Sequence, residues 1–97
     1  MKVEIYSKPD CPLCEEAKRV LLEVQRRVPF QLSEVNIEGD ASLFQRYRYD
    51  IPVIFIDGHK SFKHRVEARD LERRLQHAAG MGVAIPPNDI GKKVPND

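Results

Sequence analysis

Cys11 and Cys14 are the residues of this 97-residue chain whose type and spacing most directly favour chemistry. Thiols three positions apart lie one helical turn from each other and can join in a small disulfide ring. A cysteine at the N-terminus of a helix faces unpaired backbone N–H groups and the positive end of the helix dipole, which lower the pKa of its thiol. The pair therefore predicts thiol–disulfide exchange, with Cys11 as the exposed nucleophile and Cys14, covered by the next turn, as the resolving thiol.

This chemistry requires a helix that begins at the cysteine pair, and the sequence predicts one. Val3 and Ile5 alternate with polar residues, which indicates a strand over residues 1–6 followed by a polar loop. Pro12 suits the first position of a helix, and Pro29 ends it after about residue 27. The apolar positions that predict its buried face are Leu13, Ala17, Val20, Leu21, Val24 and Val28.

The rest of the chain predicts three more strands and two more helices. The strands are expected over residues 30–37, 53–56 and 59–63. A tight Asp57–Gly58 turn joins the last two, and lysines protect the final strand as a sheet edge. Asp40 is expected to cap a short helix that runs to about residue 47, and a final helix is expected over 66–79.

The order β-α-β-α-β-β-α predicts an α/β fold with a four-stranded mixed sheet and helices on both faces. A right-handed crossover through the first helix makes the first two strands parallel, and the tight turn makes the last two antiparallel. Residues 1–79 are predicted to form one domain, and residues 80–97, which show no periodicity, a flexible C-terminal tail.

Two other interpretations of the cysteine pair remain open, namely inert structural thiols and half of a zinc site. A structural zinc ion takes four ligands, and the chain has only two cysteines and three histidines. His59 and His64 fall on the predicted hairpin, and His77 lies late on an exposed helix face. We expect all three to be solvated, and no bound metal is predicted.

The composition limits the partners. Sixteen basic and fifteen acidic residues give a net charge of +1, so no nucleic-acid partner is predicted. No apolar run approaches the roughly 20 residues of a membrane span, and the N-terminus lacks the apolar segment of a signal peptide. Because two cysteines three positions apart cannot staple a secreted scaffold, we expect a cytoplasmic protein. No membrane partner is predicted, and we expect a monomer.

Two segments of the chain carry a resemblance to a known family. They are Lys8-x-x-Cys11-Pro12-Leu13-Cys14 and Ile51-Pro52-Val53. With the first strand and helix, they resemble the glutaredoxin branch of the thioredoxin-fold superfamily, over about residues 1–79. The resemblance implies a thioredoxin-like fold and the same roles for the two cysteines.

The resemblance also implies the residues of a substrate site. Pro52 is expected to follow a cis peptide bond and to face the cysteines, so that the Ile51 backbone pairs with an extended thiol substrate. The positions expected to contact substrate are Lys8, Pro12, Leu13, Ile51 and Pro52. Lys8 is expected to lower the pKa of the Cys11 thiol, whereas the neighbouring Asp10 raises it.

The segment before the last helix departs from the family pattern. Glutaredoxins that bind glutathione tightly carry a Gly-Gly-x-Asp segment there, whereas residues 62–70 of this chain contain no glycine. Asp70 therefore does not inherit the role of that aspartate. Lys8, Arg46 and Arg48 are left as candidates to meet a glutathione carboxylate.

Three side chains have two interpretations each. Tyr6 either flanks the active site or packs in the core. Tyr47 and Tyr49, with the neighbouring arginines, are expected to line the approach to Pro52, because so small a basic cluster is a weak signal for nucleic acid.

The function predicted is a dithiol–disulfide oxidoreductase that reduces protein or low-molecular-weight disulfides. Glutathione is a possible co-substrate, and a thiol reductant or a reductase supplies the electrons. The alternatives are a binding module that bridges a [2Fe–2S] cluster between two chains through the first cysteine and glutathione, or an adaptor without redox activity.

Overall fold

The computed structural model describes residues 1–78, and its elements follow the predicted order. The strands are β1 (Lys2–Ser7), β2 (Gln31–Asn36), β3 (Val53–Ile56) and β4 (His59–Lys63). The helices are α1 (Pro12–Gln25), α2 (Ala41–Tyr47) and α3 (Ala68–Ala78), and a 3-10 turn, Ile37–Gly39, joins β2 to α2. The predicted tail, 80–97, and the predicted end of the last helix at residue 79 lie outside the described residues.

The sheet has the strand order β2-β1-β3-β4 and is mixed, as predicted. β1 runs parallel to β2 and antiparallel to β3, with Ile5 opposite Ile54, and β4 runs antiparallel to β3. Asp57 and Gly58 take φ angles of 49° and 83°, the positive values that a two-residue hairpin turn of this type requires. The tight turn therefore sets the antiparallel pairing of the last two strands.

The main core lies between one face of the sheet and the pair α1 and α3. Val3 and Ile5 of β1 and Ile54 and Ile56 of β3 point to this face, because alternate residues of a strand share a side. The residues that α1 and α3 contribute are Ala17, Leu21, Val24, Leu71 and Leu75. Burial of this aliphatic layer is the main source of the domain's stability.

Helix α2 covers the opposite face. Tyr47 stacks edge-on against Tyr6, with ring centroids 5.2 Å apart, and Phe55 packs against Tyr6 at 4.8 Å. Tyr6 and Phe55 alternate with the residues of the main core, so helices lie on both faces of the sheet. Asp40 caps α2, as predicted, because its side chain accepts the backbone N–H groups of Ser42 and Leu43.

The buried face of α1 differs from the predicted one at its first position. Leu13 is 39% exposed, whereas Cys14 is buried together with Ala17, Leu21 and Val24. Positions 14, 17, 21 and 24 hold one helical stripe, and Leu13 lies about 100° around the helix from Cys14. The expectation that Leu13 belongs to the core face was wrong.

The helix ends differ from the predicted ones by about two residues. α1 ends at Gln25 rather than near residue 27, because the chain closes into a turn in which Arg27 and Val28 both donate their N–H groups to the Val24 carbonyl. α3 begins at Ala68 rather than at Val66, although Val66 is itself buried in the main core. Over residues 1–78, no helix has the length and hydropathy that crossing a bilayer demands.

Candidate active site

Cys11 and Cys14 form a disulfide at the N-terminus of α1. Their Cα atoms are 5.2 Å apart, within the range that a disulfide requires. β1 ends at Ser7, and the loop that follows delivers Cys11 directly to the helix. The thiol pair identified from the sequence therefore stands where two sulfur atoms can bond and separate.

Cys11 is the N-cap of α1. Its sulfur accepts the backbone N–H of Cys14 at 3.2 Å, and its carbonyl accepts the N–H groups of Cys14 and Glu15 at 3.0 Å each. Pro12 occupies the first turn, where its missing N–H removes no hydrogen bond. The position at the start of α1 is the one that the prediction for Cys11 as the nucleophile requires.

The two sulfur atoms differ in access. Cys11 is partly exposed, whereas Cys14 is only 2% exposed. A molecule in solution therefore has more access to Cys11 than to Cys14. This difference is the one expected of a nucleophile and a resolving thiol.

Leu13 presents an apolar surface beside the disulfide. It lines a groove of about 230 Å³ between α1 and the segment that leads into α3. Ala17, Val20 and Val66 contribute apolar walls, and Glu16 and Glu67 lie at the same groove. The predicted substrate contact at Leu13 thus has an open surface next to it.

The loop before β3 lies against the cysteines. Ile51 is buried and belongs to one cluster with Cys14 and Ile37, against which Cys11 packs. The Ile51–Pro52 peptide bond is cis, as the resemblance implies. The Ile51 N–H donates to the Tyr47 carbonyl at 3.1 Å, whereas its own carbonyl accepts no hydrogen bond within residues 1–78.

Lys8 lies at a hollow lined by the loop after β1, the first turn of α1 and the end of β2. Glu15 and Glu34 line the same hollow, whose volume is about 320 Å³. Glu34 pairs with Lys18 at 3.1 Å, and this hydrogen bond and the charge of Glu34 raise the pKa of Lys18. Lys8 therefore shares this hollow with two carboxylates, which reduce the net positive charge available to an anionic substrate; its predicted influence on Cys11 stays a prediction.

Tyr6 packs beside the site rather than in the main core. It lies in the cluster that contains Cys14 and Ile51 and contacts Tyr47 and Phe55. Burial raises the pKa of the Tyr6 hydroxyl, and the Glu4 carboxylate and Tyr47 raise it further. Tyr6 therefore packs in a hydrophobic cluster, and this cluster is the one that contains Cys14.

The arginines of the α2 region stack on aromatic rings. Arg48 lies 5.1 Å from the Phe44 ring centroid and 4.7 Å from that of Tyr49, and Arg46 lies 5.6 Å from that of Tyr47. Tyr49 is 79% exposed. These residues precede Pro52 in the chain, and their predicted position along the approach to Pro52 stays a prediction.

His64 has a defined contact that the sequence did not reveal. Its imidazole Nε2 lies 3.0 Å from the Tyr49 carbonyl oxygen, and its backbone N–H donates to the Pro52 carbonyl at 2.8 Å. His64 is exposed, as expected, but its imidazole also has a partner within the protein. No local signal pointed to this contact, because it joins segments 15 residues apart through one side chain.

The remaining candidate ligands lie apart from the cysteines. His77 lies beside Asp70 and Arg73 at a hollow along α3, and Asp70 pairs with Arg73 at 3.7 Å. His59 begins β4. Within residues 1–78, no three side chains of the metal-binding types gather in one place.

Comparison with known proteins agrees with this geometry. The family model described as "Glutaredoxin-like domain (DUF836)" matches residues 2–76. The "Glutaredoxin-like protein YDR286C homolog" of Dictyostelium discoideum is 30% identical in an alignment of 82 positions that covers 78% of this chain and 76% of that protein.

Solved structures share the fold. The structural genomics target protein XcR50 from X. campestris superposes with a TM-score of 0.68 at 24% identity, covering 77% of this chain and 96% of that one. Thioredoxin 1 of Thermosipho africanus superposes with a TM-score of 0.56 at 14% identity, covering 81% and 99%. The predicted thioredoxin-like fold and the predicted resemblance are both confirmed, and the chain belongs to the glutaredoxin-like domain family.

Proposed function

We propose that this protein is a thiol–disulfide oxidoreductase in which Cys11 is the nucleophile and Cys14 the resolving thiol. The observation that carries the proposal is the bonded pair at the start of α1, whose first sulfur is accessible and whose second is buried. Membership of the glutaredoxin-like family supports a redox role.

The proposed reaction uses the two thiols in a fixed order. The Cys11 thiolate attacks one sulfur of a substrate disulfide and expels the other as a thiolate, which leaves a mixed disulfide on Cys11. Cys14, after losing its proton, attacks the Cys11 sulfur and releases the second substrate thiolate. Two electrons pass from the protein dithiol to the substrate, and the product is the Cys11–Cys14 disulfide seen in the structure.

The loop at Ile51 supports the proposed mode of substrate binding. Because the Ile51 N–H is already bonded to Tyr47, an extended peptide would pair through its own N–H with the Ile51 carbonyl. Pro12 and Leu13 directly follow Cys11, are exposed, and offer apolar contact. Pro52 completes this set of proposed substrate contacts.

The charges around the site favour protein disulfides over glutathione as the substrate. The glycine-free segment 62–70 lacks the backbone cradle of glutathione-binding relatives. Lys8 lines the same hollow as Glu15 and Glu34, whose negative charges weaken its attraction to a glutathione carboxylate. We propose that glutathione or a reductase acts as the electron donor that restores the dithiol, in a monomeric cytoplasmic protein.

A binding module is the rival function. A [2Fe–2S] cluster carrier would hold the cluster with Cys11 from each of two chains and with glutathione, so Cys11 must be free of Cys14. Pro12 beside the nucleophile and the absence of the glycine segment disfavour this arrangement. Visible absorption after anaerobic reconstitution would support the carrier over the oxidoreductase.

Redox equilibration tests the proposal. We expect the pair to interconvert between dithiol and disulfide in buffers of reduced and oxidised glutathione, with a midpoint between about −270 and −200 mV. Alkylation followed by mass spectrometry measures the fraction oxidised. A protein that never forms the intramolecular disulfide at any buffer ratio would contradict the proposal, and an adaptor would also show an ordinary free-thiol pKa at Cys11.

Single-cysteine variants test the order of attack. Cys14→Ser is expected to accumulate a stable mixed disulfide at Cys11 with substrate proteins, because the resolving thiol is missing. The matched Cys11→Ser variant, with its remaining thiol buried, is expected to trap none. Equal trapping by both variants would contradict the assigned roles, and recovery of glutathione alone would contradict the preference for protein disulfides.

A further inference from the structure

We propose that His64 is a positioning residue that holds the loop carrying Ile51 in the form that receives a peptide disulfide. This role rests on the proposed oxidoreductase function, whose substrate it concerns. His64 lies outside the reacting set and acts through the backbone of the loop between α2 and β3.

One residue binds this loop at two points. The His64 backbone N–H donates to the Pro52 carbonyl at 2.8 Å, and the imidazole Nε2 lies 3.0 Å from the Tyr49 carbonyl. Tyr49 and Pro52 flank Asp50 and Ile51, so both ends of the substrate-pairing segment are attached to the same anchor. A carbonyl oxygen only accepts, so Nε2 must carry a proton, as it does in one neutral tautomer and in the cation.

The anchor has an unusual backbone conformation. His64 takes a φ of 68°, and Arg65 donates its N–H to the Lys63 carbonyl at 2.8 Å, which closes a three-residue turn centred on His64. Glycine is the residue that tolerates such a positive φ without strain. A histidine held there indicates that its side chain supplies something that glycine would not.

The contact bears on the active site rather than on the core. His64 is exposed, whereas Ile51 packs against Cys14 in the small cluster that Cys11 also touches. The Ile51 N–H is fixed by the Tyr47 carbonyl, so the position of the open Ile51 carbonyl depends on how the rest of the loop is held. A pre-organised loop lowers the ordering cost of peptide binding.

The test compares two disulfides with pre-reduced protein in single-turnover mixing. One is a short peptide with an internal disulfide and a fluorescent reporter; the other is bis(2-hydroxyethyl) disulfide, which has no backbone N–H to pair with Ile51. His64→Gly suits the positive φ and keeps the backbone N–H, but it frees the backbone as well as removing the imidazole; His64→Ala, which removes the imidazole without that freedom, is therefore measured beside it.

We expect His64→Gly to raise the half-saturating peptide concentration by about five-fold, the effect of losing one hydrogen bond. The limiting rate, and the reaction with bis(2-hydroxyethyl) disulfide, should stay within about two-fold, since neither depends on pairing with Ile51. His64→Gln keeps an N–H donor at the distance of Nε2 and should restore much of the peptide affinity. His59→Ala is the control for loss of an exposed imidazole.

Two results would overturn the role of His64. One is an unchanged half-saturating peptide concentration in His64→Gly, and the other is an equal change with both disulfides. Nitrogen NMR of the wild-type protein adds a readout without activity: the Nε2–H tautomer is expected for His64, and a neutral Nδ1–H tautomer would contradict the contact with Tyr49. A wild-type protein that reduces neither disulfide would instead overturn the proposed function, and this role of His64 would fall with it.

Discussion

The molecule has two hydrophobic clusters, which differ in how many of their residues are buried and in the types of those residues. The main core holds twelve buried residues between the sheet and the pair α1 and α3. The cysteine cluster has only Cys14, Ile37 and Ile51 fully buried, and its other members are partly buried. These other members are Tyr6, Cys11, Leu43, Phe44 and Tyr47.

The difference teaches where stability and chemistry are placed. An aliphatic core closed on all sides sets the global stability of a small domain. A shallow cluster with few buried contacts opens at lower free energy, which suits a disulfide that must exchange with other molecules. We therefore expect substitutions in the two clusters to separate stability from exchange.

The largest effect is expected in the main core. Leu21 is fully buried, whereas its neighbour Leu22 is 50% exposed on the same helix. Leu21→Ala should lower the free energy of unfolding by about 2–5 kcal/mol, because it removes buried methyl groups and leaves a cavity. Leu22→Ala should change it by less than about 0.5 kcal/mol. Urea unfolding measures both, and equal losses would contradict the assigned helix face.

Substitutions in the cysteine cluster are expected to reduce stability less, and thiol–disulfide exchange more, than substitutions in the main core. Tyr47→Ala removes the contacts with Tyr6 and Phe55 and should reduce the free energy of unfolding by about 1–3 kcal/mol. It should also slow peptide reduction, because without its ring contacts the end of α2 is held less firmly, and the carbonyl of residue 47 there accepts the Ile51 N–H. The exposed Tyr49→Ala is the control for stability. Unaltered exchange in Tyr47→Ala would contradict the separation of the two clusters.

The helix that borders the cysteine cluster depends on its cap. Asp40→Ala removes the acceptor for two N–H groups and should lower the free energy of unfolding by about 1 kcal/mol. Asp40→Asn keeps a capping oxygen and should lose little. Chemical denaturation compares the two variants; an equal loss in both would indicate that charge, rather than capping, matters at this position.

The smallest effect concerns alkaline pH. The pKa of Tyr6 and that of Lys18 are both raised in the folded protein, by burial and by Glu34 respectively. Because the folded protein binds these protons more tightly than the unfolded chain, each group stabilises the folded state. This stabilisation is fully present at pH values below the unfolded pKa values of about 10, and it is lost as the pH rises through the folded pKa values. Unfolding midpoints measured from pH 8 to 11.5 should fall, and less steeply in the Tyr6→Phe and Lys18→Met variants. Parallel curves for all three proteins would contradict the two shifts.

The fold was predictable where local patterns and global packing agree. The β3 run, Val53–Ile56, is apolar throughout because both of its faces are covered, and the Asp57–Gly58 turn fixes its partner. Asp40 marks the start of α2 through a local hydrogen bond that the sequence displays. The position of the cysteines at the start of α1 follows from Pro12 and the helical period behind it.

Other parts of the site were not predictable, because they depend on contacts between distant segments. The surroundings of Lys8 follow from the pairing of β1 with β2, which brings Glu34 next to Ser7 and the following loop. The His64 imidazole contacts the Tyr49 carbonyl from a residue whose φ is positive, and the sequence does not display that backbone conformation. The predicted buried face of α1 included Leu13, but the buried residue in the first turn is Cys14, because a cysteine side chain packs in a core as a small apolar group.

The depth of Cys14 also bears on how the protein would withstand oxidants. Peroxide is expected to reach the partly exposed Cys11 sulfur first and to convert it to a sulfenic acid. Cys14, held one turn away and shielded from solvent, is then expected to condense with it to give the disulfide and water. The sheltered second thiol would thus keep the oxidation at a step that a thiol reductant reverses.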